Sequence, residues 1–315
     1  MRPFEKTKHI SKCLELAILL EASANKPGNV NRTTSFKNTR YEHFLASAVA
    51  ISSSFEYAAE RGVLVSRGEI HVRNVGLGRI IGDCTANVNA WQHGGNTLLG
   101  TAILLSPIAV AAGMTPVEKN FFKIPKLREN VKLTVESTTP EDAVDAYQAI
   151  RIANPGGLGT VPELDIKNTD SVNKIHKEKI SLYQIFKIAS KYDTVCYEWV
   201  NNYPITFDIA YPSFIEQIKK DNDLNMAIVH LFLKILAEYP DTLITRKTSI
   251  RKAREVSSMA KEALKLGGLE TSRGKKSILE LNHKLRKSDN LWNPGTTADI
   301  TTAALALSIL SGYRP

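Results

Sequence analysis

The feature that most constrains this chain is a helical repeat of apolar residues that recurs along it with almost nothing strand-like between the repeats. Ile10, Leu14, Ala17 and Leu20 stand three or four apart and define a first helix ending near Ala24. Phe44, Ala48, Ile51, Phe55 and Ala58 define a second, which Gly62 is expected to end. Thr139-Pro140-Glu141-Asp142 supplies a hydroxyl for a free amide, a proline where no donor is needed, and acids at the positive end of the helix dipole. That third helix should run to about Ala153 and stop at "NPGGLG". Further helical patterns cover residues 180–192, 224–238, 249–266, 276–287 and 294–311. Only "EIHVRNVGL" and "VKLTVEST" alternate as strands do, and each could be an edge or a loop. Helices joined by Gly/Pro turns imply an all-α fold, and with no linker or composition shift one domain is expected over residues 1–315.

Several function classes lose support early. The net charge of +9 favours acidic partners such as phosphorylated metabolites, but Lys and Arg alternate with acids, and no nucleic-acid motif accompanies them. No nucleic-acid partner is therefore expected. Cys13, Cys84 and Cys196 are far apart, with neither CxxC nor a zinc-like His spacing, which suits a reducing cytoplasm. The N-terminal segment shows no cleavage-site pattern, so no signal peptide is expected. "TLLGTAILLSPIAVAAGM" is the one membrane candidate; it is short and broken by Pro107, so a buried core helix is the expectation and no membrane partner is assigned. "GLGRIIGD" has GxGxxxG spacing rather than that of a dinucleotide loop, and in "GLETSRGKKS" the two glycines stand one residue too far apart for a P-loop.

Four junctions between loops and helices carry the chemistry. In "EASANKPGNVNR", Glu21 and Asn31 stand with Lys26 and Arg32, which flank a turn containing Gly28; the two cations are either solvated charges or phosphate ligands. In "QHGGNTLLG", Gly95, Asn96 and Thr97 precede the apolar helix, where free amides favour an anion and where Asn or Thr could equally be a simple cap. In "EYPDTLITRKTS", Asp241 stands with Arg246 and Lys247, as a surface pair or as a site. In "DNLWNPGTTADITTAALAL", Asn293 as cap and Pro294 as first helical residue explain a helix start, but Thr296, Thr297 and Asp299 are surplus to it. Helical spacing puts Thr296 and Asp299 on one face, where the carboxylate could hold a phosphate-bound Mg²⁺.

These segments resemble the triphosphoribosyl-dephospho-CoA synthase family over nearly the whole chain. "NPGTTAD" is similar to the family's most recognisable motif, "NKPGNV" to its Lys-Pro-Gly turn, "GGNTLLG" to its Gly-x-Asn-Thr-His-Lys-Gly segment, and "YPDTLITRK" to its Asp-Thr-x-x-x-Arg segment. The resemblance implies an all-α fold and transfer of the triphosphoribosyl group of ATP to an acceptor hydroxyl of dephospho-CoA, with adenine released through an oxocarbenium-like transition state. It places Lys26, Arg32 and Arg246 at phosphates and Asp241 and Asp299 at Mg²⁺ or the oxocarbenium. Gly28, Gly95, Asn96, Thr97, Asn293, Gly295, Thr296 and Thr297 would line the nucleotide site, and His93 is the nearest candidate proton donor for adenine. Departures are clear: Leu98-Leu99 replaces His-Lys, Asn31 stands where the family has Asp, and "NTRYEHF" replaces a Gly-x-His-x-Asp-Met segment. "ANPGGLG" is similar to a divergent subgroup of archaea and one-carbon-metabolising bacteria. Two rivals follow: the same chemistry on a methanopterin-like C1 carrier, and a nucleotide-binding protein without catalysis. A homo-oligomer is compatible with all three.

Overall fold

The computed structural model describes residues 2–159 and 163–315. The chain opens with four long helices, α1 (Pro3–Ser23), α2 (Tyr41–Ser66), α3 (Leu77–Trp91) and α4 (Leu99–Met114). A two-residue antiparallel hairpin, β1 (Val117–Glu118) and β2 (Phe121–Phe122), leads to α5 (Ile124–Glu136) and α6 (Pro140–Ala153). Shorter helices follow: α7 (Asp170–Glu178), α8 (Leu182–Ala189), α9 (Thr194–Val200), a π-helical turn at Ile205–Ala210, and α10 (Tyr211–Asp221). The last third holds α11 (Leu224–Glu238), α12 (Thr242–Lys247), α13 (Ile250–Lys265), α14 (Ser272–Arg286) and α15 (Gly295–Leu310). The all-α expectation holds, the hairpin being the only sheet among the described residues.

Two helices form the axis of the molecule. In α4 every residue except Gly100 and Met114 is buried, as is every residue of α15 from Ile300 on. Neither sequence has a polar stripe, which marks a helix enclosed on all sides rather than a surface one. No described helix is long and apolar enough to cross a membrane. Pro107 sits inside α4 and removes the amide that would bond the Ile103 carbonyl four residues back. Trp199 Nε1 supplies the missing donor at 3.0 Å, and the Tyr203 hydroxyl bonds the next carbonyl, Leu104 O, at 3.1 Å. The axis is thus pinned to α9 and the segment after it, and buried Glu198 of α9 accepts the Ile205 and Thr206 amides and so anchors the π-helical turn. Helix α11 joins two apolar clusters: Ala227, Ile228, Leu231 and Ile235 face the main core, while Val229, Phe232, Leu233 and Leu236 face α13 and α14.

Local readings fare unevenly. The Thr139 cap is as expected, its hydroxyl accepting the Asp142 amide while the Asp142 carboxylate accepts the Thr139 amide at 2.8 Å. "VKLTVEST" falls almost wholly in α5, because Leu127, Asn130, Val131, Thr134 and Val135 bury one helical face and outweigh the local alternation. "EIHVRNVGL" holds a 3₁₀ turn at Val72–Asn74 and runs into the start of α3. Gly62 does not end α2, which continues to Ser66. It is needed for closeness: a Cβ there would stand 1.9 Å from Val110 O and 3.0 Å from Gly113 Cα of α4. Gly62→Ala would gain up to about 1 kcal/mol of helix propensity at an open site. Here the clash should dominate and lower stability by about 1–3 kcal/mol or more, read as a fall in the urea midpoint at unchanged m-value. A rise in midpoint would contradict this packing.

Candidate active site

The beginnings of α4, α12 and α15 and the loop after α1 meet around one cleft. The two free ends of α12 and α15 are closed by a single carboxylate. Asp241 Oδ1 accepts the Leu243 and Ile244 amides at 2.9 and 3.0 Å, capping α12, and Oδ2 accepts the Thr297 amide and hydroxyl, each at 2.8 Å. Asn293 and Pro294 therefore do not play the parts expected of them. Pro294 occupies the cap position without a side-chain bond, the helix starts at Gly295, and Asn293 Oδ1 instead accepts Asn29 Nδ2 at 2.9 Å, tying this junction to the loop after α1. The Thr242 and Thr296 hydroxyls lie 3.2 Å apart across the same seam. Burial raises the pKa of Asp241, although both Thr297 groups, the Ile244 amide and the Arg246 charge pull it back.

Asp299 stands one turn into α15, facing α4. Thr101 donates to its Oδ1 at 2.7 Å, and Gly100 leaves room for the rest of the carboxylate, since a Cβ on Gly100 would stand 2.1 Å from Oδ2. Its pKa is pushed up to about 8, first by burial; the Thr101 hydrogen bond opposes this, and the nearby Glu21 and Asp241 charges add to it. At neutral pH the side chain therefore carries a proton unless a cation displaces it.

Three adjoining hollows meet at Asn96 and Leu99. The polar one, about 600 Å³, is bordered by Glu21, Asn29, Thr97, Asn293, Gly295 and Asp299, with Phe36 and Phe44 behind. The second, about 670 Å³, has an apolar wall of Ile103, Ile150, Phe186, Val195 and Leu243, and it holds Arg246, Thr296 and again Asp299. The third, about 630 Å³, runs past Gly95 and Leu98 to Cys84, Val88 and Ile152. Leu98 and Leu99 thus give the cleft an apolar face where the resembling family has His-Lys.

The remaining sequence candidates divide. Asn96 borders all three hollows while its Oδ1 accepts the Leu99 amide at 3.1 Å, and Thr97 shares a hydrogen bond with Ser47 at 2.7 Å. Arg246 enters the second hollow paired with Asp193, which also caps α9. Lys247 bonds Asn290 O at 2.9 Å beneath Gly156 and Gly157 of the "NPGGLG" loop. Other candidates lie away from the cleft surface. Lys26 is wholly buried, 3.1 Å from Glu21 Oε1. Gly28 packs on Leu285 with its amide bonded to Asn282. Arg32 is exposed beside a different hollow, with Leu20 and Leu224, and His93 is exposed and borders none of the three. Thr297 is buried under Asp241.

Asn29, Asn290 and Thr101 were not singled out by sequence. Glu21 was, as the acid that opens the first junction on the otherwise apolar end of α1, but with no role assigned to it.

As to a metal, no three His, Cys, Asp or Glu side chains among the described residues stand close enough to hold one. Mg²⁺ is commonly held by one or two carboxylates together with substrate phosphates. Asp299 fits that pattern; Asp241, with four internal donors, does not.

The family model for ATP:dephospho-CoA triphosphoribosyl transferase matches residues 7–315. A crystal structure of a candidate triphosphoribosyl-dephospho-CoA synthase from Archaeoglobus fulgidus superposes with a TM-score of 0.62 at 21% identity, covering 86% of this chain and 100% of that one, and so shares the fold. A search of curated proteins finds no match.

The state of Asp299 has a measurable consequence. Its folded pKa lies above the unfolded value near 4, so the unfolded chain loses this proton first and stability falls as pH rises between about 4 and 8. Asp299→Asn removes that contribution. The variant should gain on the parent across this window by at most about 1.4 kcal/mol per pH unit, and the difference should level off above pH 8. A pH-independent difference in unfolding free energy would refute the assignment.

Proposed function

Because the chain belongs to the ATP:dephospho-CoA triphosphoribosyl transferase family, we propose that the cleft moves the triphosphoribosyl group of ATP to a hydroxyl of dephospho-CoA and releases adenine. The observation that carries this reading is convergence: all four junctions contribute to hollows that share Asp299 or Asn96. Family membership favours this over a binder without catalysis and over a C1-carrier acceptor. We take residues 1–315 as one catalytic unit working in the cytoplasm, a reading supported by three free, buried cysteines.

The reaction needs the ribose C1′ held away from water, the triphosphate neutralised and a path for adenine to leave. The polar hollow offers amide donors and acceptors from Asn29, Asn96 and Asn293 with Phe36 and Phe44 beside them, a set suited to a nucleoside. Arg246 faces the second hollow and can pair with phosphate oxygens in place of Asp193. Asp299 borders both hollows and would hold Mg²⁺ with one carboxylate, shared with the triphosphate. The bound ion would neutralise phosphate charge. Asp241 positions these groups through the two helix ends it caps, and the apolar wall of the second hollow keeps water from the reacting carbon.

Chromatography of ATP–Mg²⁺ incubated with the protein and dephospho-CoA should show free adenine. Adenine appearing only with a cell extract of small molecules would move the chemistry to another acceptor; ATP binding without adenine would leave a nucleotide binder. Asp299→Asn should abolish turnover while keeping the fold. Because the Asp299 proton must leave before a cation binds, the apparent Mg²⁺ affinity of the ATP complex should rise, by up to about tenfold per pH unit, until about pH 8. Isothermal titration across that range would show a flat affinity if Asp299 is not the ligand.

A further inference from the structure

Glu21 is the acid of the cleft that the roles above leave without a task. It lies in the last turn of α1, is 4% exposed, and borders the polar hollow together with Asp299. Its companion is Lys26, wholly enclosed, with Nζ 3.1 Å from Glu21 Oε1. The same ammonium donates to the main-chain carbonyls of Glu21, Ala24 and Val30, which lie at the end of α1 and in the turn after it. Those three bonds suffice to explain why a lysine is buried here: it closes free carbonyls that the helix end would otherwise leave bare. They do not explain the carboxylate. Lys26 engages Oε1 only; no donor among the described residues reaches Oε2, which is left to the hollow that Glu21 borders. Set in the wall of a cleft, such an oxygen is an acceptor lacking the donor that a ligand hydroxyl would bring.

We propose that Glu21 is the general base of the transfer, taking the proton of the acceptor hydroxyl as that oxygen bonds to C1′, with Lys26 fixing the carboxylate against the cleft wall. The proposal rests on the transferase reading above. The C1′–N9 bond breaks with its electron pair going to the purine, which takes a proton from solvent. The acceptor oxygen forms the new bond to C1′, its proton passes to Glu21, and Glu21 returns it to solvent after the product leaves. Lys26 touches no substrate and is a positioning residue. Burial of the pair raises the carboxyl pKa of Glu21 and lowers that of the Lys26 ammonium, their mutual attraction opposing both, so the carboxylate is a stronger base than one in water.

Azide separates a base from a merely structural acid, because it is an anion and attacks carbon without surrendering a proton. In Glu21→Gln, adenine release with dephospho-CoA should fall by about a hundredfold or more, with the KM for ATP little changed. Added azide should restore adenine release at least about tenfold in this variant and do little for the parent. If the lone buried ammonium prevents folding, the neutral pair Glu21→Gln with Lys26→Met carries the same test, with the thermal midpoint recorded beside it. A folded Glu21→Gln that releases adenine at the parent's rate overturns the proposal and leaves the transferase reading standing. A slow variant that azide does not restore makes Glu21 structural and also overturns it. Failure of the parent itself to release adenine would sink the transferase reading and this proposal with it.

Discussion

The arrangement depends on one carboxylate that ends two helices at once. Each helix N-terminus leaves amides without partners, and where two such ends are buried side by side both must be satisfied from within the protein. Asp241 does this with two oxygens and four donors, drawn from Leu243, Ile244 and both groups of Thr297. Its burial raises its pKa, so the fold bears the cost of a carboxylate out of water in order to bring α12 and α15 together. Since α12 carries Arg246 and α15 carries Asp299, the distance between a cation and an acid of the cleft is set by this joint. A substitution there would act on geometry before it acted on charge.

Much of the fold was legible because its signals are local. The Thr139 cap, the Asn-Pro-Gly-Gly stop and the stripe of α1 each need only a few neighbouring residues to be recognised. The enclosed nature of α4 was legible from composition. What escaped were features fixed by partners distant in sequence. "VKLTVEST" alternates locally, yet the packing of α5 decides its state. Gly62 looks like a helix stop, and only the proximity of the Val110 carbonyl shows it to be a crossing point. The shortest helices, α9 and α12, have too few turns to display a period.

The candidate site shows the same division. That four junctions mattered was readable from residue types; which atoms face the cleft was not. Lys26 and Arg32 flank one turn and look equivalent in sequence, but the first is sealed against Glu21 and the second is exposed beside a separate hollow with Leu20 and Leu224. Asn293 looked like a cap because Asn before Pro so often is one; the role passed to Asp241, and Asn293 was left to bind Asn29. Asp241 was itself legible as an important acid, but Thr297 of α15 could not be known as its partner 56 residues away.

The charge of the cleft runs against the charge of the chain. A net charge of +9 suggests a strongly cationic phosphate site, yet the cations nearest the cleft already have partners: Lys26 with Glu21, Arg246 with Asp193, Lys247 with the Asn290 carbonyl. On the proposed reading, a triphosphate entering here would gain only the difference between its own pairing and those that it replaces, and it would meet Glu21 and Asp299, with Asp241 buried nearby. Two of these acids are restrained internally, Glu21 by Lys26 and Asp241 by four donors, whereas Asp299 has only Thr101. The least restrained carboxylate is therefore the one whose protonation responds most to what arrives. On that same reading, a triphosphate bound with a divalent cation would bring the positive charge that Asp299 lacks, and a site poor in free cations would select the metal complex over bare ATP.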